Sequence, residues 1–147
     1  MRAPVIAIVV LASTCFAAPL GAKAQTVKLV VSGGGLREPI EITGKDVAFA
    51  NPWGDSFVHS WNAIAEPAAA APRYDVSFYE HLAPGDVEMK YVVDYVPGLT
   101  GHGAIHLPGR GDPRYRGNNS TIMREGRDGK WFPASSEWER VVGSRVR

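Results

Sequence analysis

Apolar and polar residues alternate along much of this chain, in short runs separated by glycine and proline. From Thr26 to Ser32, Val27, Leu29 and Val31 fall on one side, with the period of two that a strand imposes. After Gly33-Gly34-Gly35, the run Pro39 to Thr43 places Ile40 and Ile42 on a common side. Arg73 to Val96 carries the longest pattern. Tyr74, Val76, Phe78 and Leu82 share a face of one strand, and Val87, Met89, Tyr91, Val93 and Tyr95 share a face of the next. Ala83-Pro84-Gly85-Asp86 between them is a turn, with proline setting φ and glycine accepting positive φ.

A two-residue loop at Pro84-Gly85 predicts the pairing of this hairpin. Tyr74 then faces Tyr95, Val76 faces Val93, Phe78 faces Tyr91 and Leu82 faces Val87, so both apolar faces coincide. A slip of one residue would put them on opposite sides of the sheet. On the other face the same register opposes His81 to Glu88, Tyr79 to Lys90 and Asp75 to Asp94.

Gly103 to Leu107 reads as a further short strand. Thr43 to Asp46 caps a short helix through Ala50, and Ser136 with Glu139 forms a capping box for a helix to about Val142, with Gly143 as its stop. Ala68 to Ala71 lies between Pro67 and Pro72 and is read as a linker. Strands divided by turns and followed by one helix predict an α+β fold, mainly antiparallel β: a small sandwich or partly open barrel with a short C-terminal helix.

Residues 1–24 break the pattern. Arg2 precedes an apolar run from Val5 to Ala12, and Ala22-Lys23-Ala24 offers the small residues that signal peptidase accepts. Pro4, Pro19 and Gly21 interrupt the run before the ~20 apolar residues a spanning helix needs. Leu11 to Cys15 resembles a lipobox only loosely, since Thr14 is large for its position. The expectation is a signal peptide over 1–24, a single β-rich domain over 25–147, no membrane span after cleavage, and a periplasmic or extracellular location.

Cleavage changes the composition. Without Arg2, Lys23 and Cys15, the remaining 123 residues carry 14 basic and 15 acidic side chains and no cysteine. Disulfides, thiol nucleophiles and thiolate-bound metals are thereby excluded. The charge is also unevenly placed: residues 25–109 hold 5 basic against 10 acidic groups, and residues 110–147 hold 9 against 5. The total excludes bulk polyanion binding, and no nucleic-acid partner is expected; a local basic site remains open.

Candidate chemistry is sparse. Two carboxylates directly opposed in a hairpin repel unless they share a proton, a cation or water. Asp75 and Asp94, with His81 and Glu88, are therefore the candidate catalytic set for a paired-carboxylate hydrolase. His102 and His106 lie four apart, but on a strand this sets them about 13 Å apart, too far for one zinc ion. A metal site would need His59 or His81 to join one of them, and none is assigned. Ser56 and Ser60 flank His59 without a nucleophile-elbow motif, and Gly33-Gly34-Gly35 lacks the lysine of a phosphate loop. No cofactor fingerprint is present.

The segment Pro108 to Asn119 stands out instead. Arg110, Arg114 and Arg116 flank Tyr115, a combination suited to a planar anionic or sugar-like ligand through bidentate bonds and stacking. Trp53, Trp61, Trp131 and Trp138 either line a carbohydrate platform or complete a small core. The leading expectation is a small exported, non-catalytic binding or interaction domain for an anionic or carbohydrate ligand. A secreted hydrolase and a structural envelope protein are the alternatives.

Overall fold

The computed structural model describes residues 25–50, 55–83, 85–99, 101–114 and 126–147. The predicted leader, Trp53, Tyr115 and Arg116 lie outside them. Six strands form one antiparallel sheet: β1 (Thr26–Gly33), β2 (Ile40–Thr43), β3 (Tyr74–Ala83), β4 (Asp86–Val96), β5 (Ala104–His106) and β6 (Trp131–Pro133). Their spatial order is β2-β1-β3-β4-β5-β6, so the sheet is open. A helical segment follows: α1 (Ser136–Trp138), a π-turn over Glu139–Gly143, then α2 (Ser144–Val146). The expected fold class is the one observed. Among the described residues no helix is long and apolar enough to cross a membrane.

The apolar face of the sheet makes the main core. Leu29, Val31, Ile42, Val76, Phe78, Tyr91, Val93, Tyr95, Ile105 and Phe132 are buried with Trp138, Val141 and Val142 from the helical segment. Trp138 is its centre, lying flat against Phe78 at 5.9 Å and edge-on to Tyr95 at 5.7 Å. A second cluster, Val96, Ala104 and Trp131 with Ala71, covers part of the opposite face. The outer edge of β6 is closed by the segment before β3, where His59 N–H donates to Pro133 O at 2.8 Å and Ile64 N–H to Trp131 O at 2.9 Å. An edge paired in this way no longer offers its backbone to another chain.

The hairpin register holds from Tyr74↔Tyr95 through Phe78↔Tyr91 and then slips. A bulge at Lys90 pairs Tyr79 with Met89, Glu80 with Glu88 and His81 with Val87, so the expected His81–Glu88 and Tyr79–Lys90 pairs are not formed. A matching irregularity at Val27 on β1 pairs Thr26 with Glu80, and Thr26 rather than Val27 is buried. One extra residue in a strand reverses its alternation beyond that point, and pattern reading carried the unbroken register through both.

Two helix boundaries also differ from expectation. The Thr43 segment forms only a 3₁₀ turn, Gly44–Val47, with no side-chain cap. At the C-terminus, Ser135 is the cap, its hydroxyl accepting from Trp138 N–H at 3.0 Å. Glu139, freed from the capping box, reaches across to β4 and β5. Gly143 is not a stop: it has helical backbone angles (φ −57°), and the helix continues through it. A Cβ there would stand 2.6 Å from Glu139 Oε2 and 2.7 Å from Tyr95 Oη, so close packing demands glycine. Alanine ordinarily gains about 1 kcal/mol over glycine inside a helix. Here Gly143→Ala is expected to lower the melting temperature, because overpacking of this kind costs about 1–3 kcal/mol.

Candidate functional site

The structure brings two sequence-predicted groups together. Asp75 and Asp94 stand opposite each other on β3 and β4, and the cation between them is Arg114. Its Nη1 donates to Asp75 Oδ1 at 2.7 Å and to Asp94 Oδ1, and its Nη2 donates to Asp94 Oδ2 at 3.2 Å. Asp112, two residues away, closes the ring: Arg114 Nη2 reaches Asp112 Oδ2 at 2.6 Å, and Nε reaches Oδ1 at 3.0 Å.

The strand after the hairpin supplies the last member. β5 sets His106 beside Asp94, with Nδ1 and Oδ2 2.7 Å apart, and the imidazole stacks on Trp131 at 4.9 Å. Arg73 lies over the same indole at 5.1 Å and is paired with Glu66. The loop carrying Arg114 leaves β5 under backbone control, since Leu107 N–H donates to Lys130 O and Gly129 N–H to Leu107 O.

The electrostatics follow from these contacts. Burial pushes the Asp94 carboxyl upward, but the His106 and Arg114 hydrogen bonds and the Arg114 charge outweigh it and hold it at about 2. Burial and the neighbouring Asp94 raise Asp75, against the pull of Arg114. The Arg114 hydrogen bonds lower Asp112, and the same bonds raise the guanidinium above its ordinary value. One guanidinium thus shares charge with three carboxylates and pins the loop to the sheet.

The other predicted catalytic residues are elsewhere. His81 and Glu88 lie near the turn end of the hairpin, about 20 Å along the strands from Asp75 and Asp94. His81 Nδ1 is 3.3 Å from the Asp86 carbonyl oxygen, and Glu88 is paired with Lys90 at 3.1 Å. Arg110 is exposed on the loop between β5 and Arg114. His59 and His102 do meet, with stacked rings 4.5 Å apart, but among the described residues no group of three or more His, Cys, Asp or Glu side chains is arranged to hold a metal ion.

A concave site lies on the far side of β6. Trp61, Ala63, Gly126, Arg127, Lys130 and Phe132 line a cleft of about 180 Å³. Trp61 packs edge-on against Phe132 at 5.0 Å and against Phe57 at 5.9 Å, which fixes the indole. The Arg127 guanidinium lies 3.9 Å over its ring. The Trp61 Nε1 atom is buried with no hydrogen-bond partner. Lys130 and Arg127 therefore stand beside an aromatic wall. Trp131 and Trp138 are core residues, and of the described tryptophans only Trp61 reaches this cleft.

Sequence reasoning missed Asp112, His106, Arg127, Lys130, Glu80 and Glu139. Glu80 had a visible signal: it follows Tyr74, Val76 and Phe78 at the next position on the apolar face. The others depend on contacts between distant segments. Compared with known proteins, the chain matches no family model, no curated protein and no solved structure.

Proposed function

We propose that the protein is a small exported, non-catalytic binding domain whose ligand is a small anion bearing a flat or sugar-like body, held in the Trp61 cleft. The observation that carries this reading is a cleft in which the rings of Trp61 and Phe132 stand beside Lys130 and Arg127. Lys130 in the lining favours an anion, and the walls of Trp61 and Phe132 favour a planar group beside it. The volume is below the 300 Å³ or so at which drug-sized pockets begin, so the ligand is small. The basic excess of residues 110–147 points the same way, since Arg127 and Lys130 belong to it. Export rests on the leader over residues 1–24.

The hydrolase alternative is less well supported. Divergent acidities at Asp75 and Asp94 resemble an acid–base pair. However, Arg114 occupies the space between them that a scissile bond would need, and His81 and Glu88 are too distant to assist.

Thermal melting against a panel of phosphate, benzoate, glucuronate and glucose tests the reading. The charged planar or sugar acids are expected to raise the melting temperature, glucose is not, and Lys130→Ala is expected to reduce the gain. Equal shifts in wild type and Lys130→Ala, or no shift with any anion, would count against the cleft.

A further inference from the structure

The turn end of the sheet holds three buried polar groups with no partner to match them. Glu80 points to the apolar face and is only 4% exposed, yet no hydrogen bond or ion pair reaches its carboxylate from the described residues. Thr26 faces it from β1, and Tyr91 lies beyond on β4; both are almost wholly buried. Their hydroxyls approach each other without closing a well-formed bond, and both are left unmatched. The irregularity at Val27 turns Thr26 inward beside Glu80, which continues the inward alternation of Val76 and Phe78. Bulges that re-aim side chains in this way are over-represented beside functional sites.

Among the described neighbours only the charge of Lys90 acts to offset Glu80, and no hydrogen bond or ion pair joins the two. Glu88 stands directly opposite Glu80 on β4. Lys90 is engaged with Glu88, Nζ to Oε2 at 3.1 Å. Tyr79 and His81 flank Glu80 on β3 and alternate to the other face. A carboxylate and two hydroxyls, all lacking a partner, form the donor and acceptor set that receives an ammonium group.

One ammonium is close by in the chain itself. Gln25 precedes Thr26, and its carbonyl accepts from His81 N–H at 3.4 Å, so the first residue of the predicted mature chain is laid beside β3. Thr26 and Glu80 form the pair next to that bond, where opposed Cβ atoms are about 5 Å apart. That pairing places Glu80 beside the first residue of the predicted mature chain.

We propose that Glu80, Thr26 and Tyr91 form a receptor for the chain's own α-ammonium group, created at Gln25 when the leader is cut after Ala24. Export then completes the fold, because the uncut chain carries a neutral amide at this position and leaves Glu80 buried with only the charge of Lys90, which is shared with Glu88. The proposal rests on the leader reading.

Three forms of the protein test it by thermal melting: one starting at Gln25, one retaining Ala24, and one in which Gln25 has cyclised with loss of ammonia. Retaining Ala24 moves the charge outward by about 3.3 Å, and cyclisation removes it. At pH 6 the Gln25 form is expected to melt about 4 °C above the other two. Pairing with Glu80 raises the ammonium pKa, so this gain is full below the ordinary α-amino value of about 8 and disappears as pH rises through the raised one. In Glu80→Gln the three forms are expected to melt together. A gap that survives in Glu80→Gln, or no gap in the wild type, overturns the receptor. The mass of the exported protein reads the cleavage position separately, so an error in the leader and an error in the receptor give different results.

Discussion

Replacing Arg114 with methionine is expected to lower stability by about 2 kcal/mol and to release the loop that follows β5. Methionine keeps much of the aliphatic bulk and removes only the charge and the fork of donors. Asp75 and Asp94 are then left face to face, with Asp94 only 7% exposed. Removing one partner of a buried pair costs about 3–5 kcal/mol, and the half-open position of Arg114 reduces that figure through solvent screening. The same cluster sets a pH dependence with a definite sign. Asp94 sits at about 2 against an ordinary value of 3.8, so its contribution is complete above the ordinary value and is lost as pH falls through the lowered one. Asp75 is raised and acts in the opposite direction, so part of the acid loss is offset. Chemical denaturation between pH 2 and 6 is expected to show a steep fall in the wild type. In Asp94→Asn that slope is shallower. Equal slopes in the two proteins would remove the cluster from the stability account.

The second large effect lies at Glu139. Its Oε1 accepts from Tyr95 O–H at 2.8 Å and from Gly103 N–H at 2.8 Å, and Oε2 accepts from Arg147 at 3.0 Å. This one side chain ties the helical segment to β4 and to the start of β5. Burial and the adjacent carboxylate both raise the Tyr95 phenol well above its ordinary value. Glu139→Ala leaves a buried hydroxyl and a buried amide without acceptors. At about 1–3 kcal/mol for each orphaned donor, the expected loss is about 3 kcal/mol. Glu139→Gln keeps one acceptor oxygen and is expected to lose less than half as much. Guanidinium denaturation of both variants checks the order, and a glutamine variant as unstable as the alanine one would contradict it. Gly103 belongs to the same arrangement, since a Cβ there would meet Val96 O at 2.5 Å and Glu139 Oε1 at 2.6 Å.

Local patterning made much of the fold legible. The alternation from Tyr74 to Phe78 and from Tyr91 to Tyr95 set the central register, because two apolar faces coincide in only one pairing. It failed from Tyr79 onward, where the insertion at Lys90 has no compositional signature. The opposed Asp75 and Asp94 were visible as an anomaly, and Arg114 was visible as part of an arginine-rich loop. Their union was not, because it joins segments 20 and 39 residues apart through side chains alone. Gly143 was misread for a similar reason. A glycine after a helical run ordinarily marks its end, whereas here the missing side chain makes room for Tyr95 and Glu139. The cleft was the least legible feature, since Trp61 and Lys130 meet only once the segment before β3 closes the edge of β6.

The most direct test of the binding reading is the indole N–H resonance of Trp61, followed by NMR during a titration with benzoate and then with a sugar acid. A progressive shift of that one indole signal is expected as a ligand settles against the Trp61 ring, with smaller changes at Lys130 and Phe132 and none at Asp75 or Asp94. A Trp61 signal unmoved by both anions, with shifts concentrated at Asp75 and Asp94, would contradict it and would favour chemistry at the paired carboxylates.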